Sequence, residues 1–160
     1  MWTAKEEAGL DARWEALYEQ SRPLLYRTAA LMVGAAEAEE VVQETFERAL
    51  REVHFFDQVR EPLAWLRTVA ARRALGRLRR RRVWERVRLR VPRDESLEPW
   101  ERADLARALR ELPARDRIAV VLRYYHDASY EEIAAATGMA VASVGPILTR
   151  ARARMREALA

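Results

Sequence analysis

The chain has 160 residues, half of them hydrophobic and 34% charged, which suits one medium domain or two small helical ones. It lacks cysteine and carries only two histidines, His54 and His126, so disulfides, thiol chemistry and cysteine-ligated zinc are excluded and little remains for a metal site or a histidine base. The net charge is +4 and the pI near 9.9, with Lys5 the only lysine; arginine forks suit phosphates and base edges better than ammonium points do.

Almost every segment reads as helix. Glycine is scarce and no window alternates like a strand between turn residues. No run of about 18 apolar residues exists, so no membrane insertion is expected. Met1 to Leu10 carries Lys5, Glu6 and Glu7 and does not look like a secretory signal. The first helix is predicted from about Leu10 to Val33, with Trp14, Leu17, Tyr18, Leu24, Leu25, Leu31 and Met32 at helical spacing. Pro23 is expected to kink or split it, and Gly34 to end it. The second runs from about Glu37 to Val53. Its apolar face is Val41, Val42, Thr45, Phe46, Ala49, Leu50 and Val53; its other face is acidic, with Glu37, Glu39, Glu40, Glu44 and Glu47. A short aromatic loop, 54–59, follows. Pro62 opens the next helix, which carries Leu63, Leu66, Val69, Ala70, Leu75 and Leu78 and ends in Arg79 to Arg82.

From Val83 to Pro99 the periodicity weakens, and Pro92, Pro99 and Asp94-Glu95-Ser96 read as a linker flanked by Trp84 and Trp100. Beyond it, Leu105, Leu109 and Leu112 mark one helix, stopped by Pro113, and Ile118, Val121 and Leu122 mark another. Ser129-Tyr130-Glu131-Glu132 is a capping box that opens a short helix from Tyr130 to Ala136. A turn at 137–140 leads to a basic terminal helix with Arg150, Arg152, Arg154 and Arg156. Short capped helix, glycine turn and basic helix form a helix-turn-helix pattern. An ordinary helical hairpin with a solvated basic face gives the same pattern.

Other constellations also allow two readings. Eleven arginines lie between Arg72 and Arg93, with Glu85 the only acid. So dense a block suits phosphates or an acidic protein. Phe55-Phe56 beside arginines suits stacking on unpaired bases, or else plugs the core between helices. The acidic second helix would be repelled by DNA and faces a protein or solvent. No catalytic set, glycine-rich phosphate loop or metal spacing emerges, so no enzyme, cofactor or metal is expected.

In order along the chain, the stretches 37–46 (EAEEVVQETF) and 64–70 (AWLRTVA) resemble region 2 of bacterial sigma factors. Leu109-Arg110-Glu111-Leu112-Pro113, Val121-Leu122-Arg123-Tyr124-Tyr125 and the stretch 129–134 (SYEEIA) resemble region 4. The short length is similar to the extracytoplasmic-function (ECF) group. The resemblance implies an all-α chain of two small helical domains: 1–83 as region 2, 84–99 as linker and 100–160 as region 4. It implies a cytoplasmic factor that binds core RNA polymerase and promoter DNA, is open to an anti-sigma partner, and itself catalyses nothing.

By position, the resemblance assigns polymerase binding to Glu40, Gln43 and Glu44. The minus-ten element falls to Phe55, Phe56, Asp57, Arg72, Arg73, Gly76, Arg77, Arg79 and Arg80. The minus-thirty-five element falls to Tyr130, Ser143, Gly145, Pro146, Thr149 and Arg150. Arg72 stands where the family usually has asparagine and Gly76 where aspartate or asparagine is common; arginine cannot accept hydrogen bonds as asparagine does. In the last helix Ala140 replaces a serine cap, and Gly145-Pro146 replaces basic and hydroxyl residues. A proline six residues into a helix begun at Val141 costs roughly 3 kcal/mol, so a later start capped by Ser143, or a kink, is expected. Reduced or altered minus-thirty-five reading would follow. The altered DNA positions beside a preserved acidic set also fit a polymerase-binding regulator or decoy. A plain helix-turn-helix repressor leaves the acidic helix unexplained.

Overall fold

The computed structural model describes residues 4–81 and 99–160. Eight helices occupy them: α1 (Ala4–Val33), α2 (Ala35–Leu50), α3 (Phe55–Gln58), α4 (Pro62–Arg80), α5 (Pro99–Glu111), α6 (Ala114–His126), α7 (Tyr130–Thr137) and α8 (Val141–Leu159). Among the described residues there is no strand. Residues 84–98 of the expected linker and the arginines from Arg82 to Arg93 lie outside the described residues, while Pro99, expected to close the linker, opens α5.

α1, α2 and α4 pack on one another, and α5, α6, α7 and α8 form a second group. The boundary of α1 and α2 is a single residue. Gly34 takes φ 93°, a conformation open to glycine at little cost, and its N–H bonds Ala30 O at 3.0 Å. Pro23 does not split α1, which runs as one helix through it. Proline removes only the bond to Glu19 O, and the helix around it is held by buried Leu17, Leu25 and Leu31. α2 buries Val41, Val42, Thr45, Phe46 and Ala49 as the periodicity predicts, but it stops at Leu50. Leu50 and Val53, expected in the core, are 62% and 70% exposed.

The predicted aromatic loop contains a four-residue helix, α3, entered through His54 in the left-handed region. Phe55 sits against Trp14 and Trp65 with ring centroids 4.9 and 5.1 Å apart. Each aromatic pair of this kind adds about 1 kcal/mol beyond area burial.

The two groups close on each other, α6 against α1 and α4, and α7 against α4. The seam is polar as well as apolar. Arg67 Nη1 donates to His126 O at 3.4 Å, and Arg72 Nε to Ala135 O at 2.9 Å. Arg117 Nη1 donates to Met32 O at 3.1 Å. Each of these arginines therefore meets a carbonyl in the last turn of a helix in the other group, where unpaired acceptors and the negative dipole end favour a cation.

Candidate polymerase and nucleic-acid surfaces

The acidic set lies on one side of α2 because Glu40 and Glu44 are one turn apart, with Gln43 beside them. Glu40 and Gln43 are exposed and Glu44 half-buried. Gln43 Nε2 donates to Glu47 Oε1 at 3.0 Å. Glu40 and Glu44 do not stand alone. Arg77, reaching across from α4, places Nη1 2.7 Å from Glu40 Oε2 and Nη2 2.5 Å from Glu44 Oε1. Glu37 lies 3.5 Å from the same guanidinium and also pairs with Arg81. Burial opposes the charge on Arg77, but the bonds from Glu44 and Glu40 outweigh it and hold its pKa above the ordinary value.

The expected minus-ten residues divide into two sets. Arg73, Arg79 and Arg80 are exposed along α4, with Gly76 half-buried between them. Asp57 is exposed on α3, 3.8 Å from His54 Nδ1. Arg72 is exposed but engaged with Ala135 O. Three others are committed elsewhere. Phe55 is only 3% exposed, so it is core rather than a stacking platform. Phe56 packs on Trp14 at 4.7 Å, with the Arg13 guanidinium 4.2 Å over its ring. Arg77 is turned to the acids of α2. Sequence reasoning also missed Arg81, which bonds Val33 O and Glu37. Its spacing of four from Arg77 on one helix face was the available signal.

In the second group the capping box forms as predicted. Glu132 N–H donates to Ser129 Oγ at 3.1 Å, and Ser129 N–H to Glu132 Oε2 at 2.7 Å. Gly138, with φ 72°, ends α7, and α8 leaves at 93° to it. The expected later start of α8 does not occur. Ala140 is the N-cap without a side-chain bond, and the helix continues through Pro146. Val144, Leu148 and Ala151 bury its inner face, and that packing tolerates the carbonyl of Ala142 losing its usual N–H donor. Gly145 is where α7 comes close. A Cβ there would stand 3.4 Å from the Tyr130 ring. Ser143, Pro146, Thr149 and Arg150 all face outward, and Tyr130 is 41% exposed. Thr149 Oγ1 donates to Gly145 O at 3.0 Å, which leaves its oxygen as an acceptor for a ligand.

Among the described residues no cluster of histidine and carboxylate side chains suits a metal ion, and no single helix is long and apolar enough to cross a membrane.

Comparison with known proteins gives the same two regions. Residues 17–83 match the family model for sigma-70 region 2, and residues 102–155 that for sigma-70 region 4. The chain is 34% identical over 159 residues to the ECF RNA polymerase sigma factor SigE of Mycolicibacterium smegmatis, covering 92% of this chain and 62% of that protein's length. It is 34% identical over 143 residues to the ECF sigma factor SigL of Mycobacterium tuberculosis, covering 83% of this chain and 81% of SigL. Against the sigma factor RpoE of Bartonella quintana, solved in complex with the anti-sigma factor NepR, the TM-score is 0.72 at 25% identity, with 92% and 96% of the two chains covered. With both regions present in order and relatives of this extent, the chain belongs to the sigma-70 family of RNA polymerase sigma factors, in its ECF group.

Proposed function

We propose that this chain is a promoter-specificity subunit: it binds core RNA polymerase and directs transcription initiation at promoter DNA. The observation that carries the proposal is the division of charge between surfaces. The acidic Glu40-Gln43-Glu44 side of α2 suits a basic protein partner. The arginine side of α4 and the outer face of α8 suit phosphates and base edges. Residues 1–83 act as the region 2 domain, 84–99 as linker and 100–160 as the region 4 domain. The polymerase supplies the chemistry, and the factor works beside it in the cytoplasm.

Minus-ten contacts fall to Asp57, Arg72, Arg73, Gly76, Arg79 and Arg80, and minus-thirty-five contacts to Tyr130, Ser143, Gly145, Pro146, Thr149 and Arg150. With Pro146 on the outer face, Gly145 half-buried beside Tyr130 and Arg150 the one cation of that set, α8 reads an altered element. An anti-sigma protein, as seen with the Bartonella RpoE, is a further partner.

Run-off transcription with bacterial core polymerase on a genomic promoter library tests the proposal. Transcripts from a discrete set of start sites are expected, and their upstream sequences give the element that α8 reads. Core binding without specific start sites, with candidate activators supplied, would instead make the chain a polymerase-binding regulator.

A further inference from the structure

We infer that Arg77 is a positioning residue for polymerase binding: it sets the two acidic side chains of α2 as a pair, and it is not a DNA contact. The inference rests on the reading of Glu40 and Glu44 as polymerase-facing.

Three observations carry it. First, Glu40 and Glu44 are like charges one turn apart, and such pairs repel and splay. A single guanidinium that bonds one oxygen of each, at 2.7 and 2.5 Å, removes the repulsion and fixes both carboxylates. Each carboxylate keeps acceptor sites for a partner's cation, since an ionised carboxyl offers about four.

Second, Arg77 is poorly placed for DNA. Its side chain is 16% exposed, against 63% for Glu40, so the acid shields the base and an approaching phosphate meets the carboxylates first. Its Nε is buried with no hydrogen-bond partner. Here the two Nη atoms are satisfied and Nε is not.

Third, the device is anchored from behind. Arg81, the residue that caps α4 four positions beyond Arg77, bonds Glu37 and Val33 O. The C-terminal half of α4 is thereby fastened to the start of α2 and the end of α1. A change in α4 would then be felt at the polymerase surface, although α4 carries the minus-ten arginines.

The test uses the full chain and core polymerase, with affinity measured by fluorescence anisotropy over a series of salt concentrations. Circular dichroism confirms that each variant is folded. Arg77→Gln should weaken core binding roughly ten-fold, about 1.4 kcal/mol, and Arg77→Lys should recover part of the loss. The double variant Arg77→Gln, Glu44→Gln should lose less than the sum of the two single changes, because the same unit is broken twice. Holoenzyme assembled at saturating factor should bind promoter DNA with an unchanged salt slope.

Two results would overturn the inference. One is core binding by Arg77→Gln equal to wild type while Glu44→Gln is impaired. The other is a salt slope for promoter binding that falls by about one phosphate contact, which makes Arg77 a DNA residue. If Arg77→Gln does not fold, additivity between Arg77→Lys and Glu44→Gln overturns it equally. Failure of wild-type chain to bind core at all would be distinct: it removes the parent reading, and this one with it.

Discussion

At the scale of single residues, the arginines sort by what their guanidinium meets. Arg73, Arg79 and Arg80 meet solvent, and Arg77 meets carboxylates. Arg117, only 6% exposed, meets main-chain carbonyls: Leu109 and Met32 through Nε and Nη1, Leu112 and Arg110 through Nη2. Its fork closes the end of α5 and reaches the end of α1 in the other group. Burial, then the charges of Arg81 and Arg110, pull its pKa down to about 10, so it stays charged at neutral pH. A lysine cannot span four acceptors in that geometry. Arg117→Met should therefore destabilise the chain by about 2–4 kcal/mol, because four carbonyl acceptors, three of them buried, lose a charged donor. Arg117→Lys should recover only part of that. Urea unfolding reads this as a lower midpoint at nearly constant slope; a midpoint unchanged in Arg117→Met would show that water replaces the arginine.

At the scale of elements, local signals and packing compete, and α8 shows packing winning. Pro146 and the missing cap at Ala140 both argue against a helix from Val141, yet Val144, Leu148 and Ala151 bury its inner face and hold it. The helix thus forms with a cost built in. Pro146→Ala should stabilise the chain by up to about 3 kcal/mol, seen as a rise in thermal midpoint. No rise would mean that the backbone around residue 142 has already relaxed. The same contest explains what could be read from sequence. The helices were legible because apolar residues recur at 3.6 spacing, and α7 because its capping box is local chemistry. Pro23 misled for the reason Pro146 did: tertiary burial outweighs one lost hydrogen bond. On the site side, the exposed outer face of α8 and the acidic side of α2 follow directly from periodicity. The fates of Phe55 and Arg77 do not. Each depends on a partner far along the chain, Trp14 for one and Glu40 and Glu44 for the other, and a run of arginines says nothing about which of them turns inward.

At the scale of the whole molecule, the closed seam sets aside part of the surface proposed to face DNA. Arg72 is held at Ala135 O while the outer face of α8 stays exposed, so closure costs α4 more than α8. Arg72 supplies a donor that reaches across to α7, and a phosphate would compete for the same donor. The seam also contains a titratable group. His126 Nε2 lies 2.5 Å from Thr28 Oγ1. The Thr28 hydroxyl also lies within hydrogen-bond distance of Leu24 O, at 2.8 Å. Burial, then the Arg67 charge, lowers the His126 pKa to about 4 from an ordinary 6.5. The sign follows: above pH 6.5 the ring is neutral folded and unfolded, and its contribution is complete. As pH falls from 6.5 toward 4 the unfolded chain binds the proton first, and stability is lost through that window. Carboxylates titrate near its lower end, so the informative quantity is a difference between proteins. His126→Gln keeps a hydrogen-bond partner for Thr28, since an amide both donates and accepts, but cannot ionise. Urea midpoints measured from pH 7.5 to pH 4 should fall more steeply for wild type than for His126→Gln, and the radius of gyration from small-angle scattering should rise only in wild type as Arg67 and a charged imidazole repel across the seam. Parallel curves for the two proteins would mean that the ring reaches solvent without opening the seam.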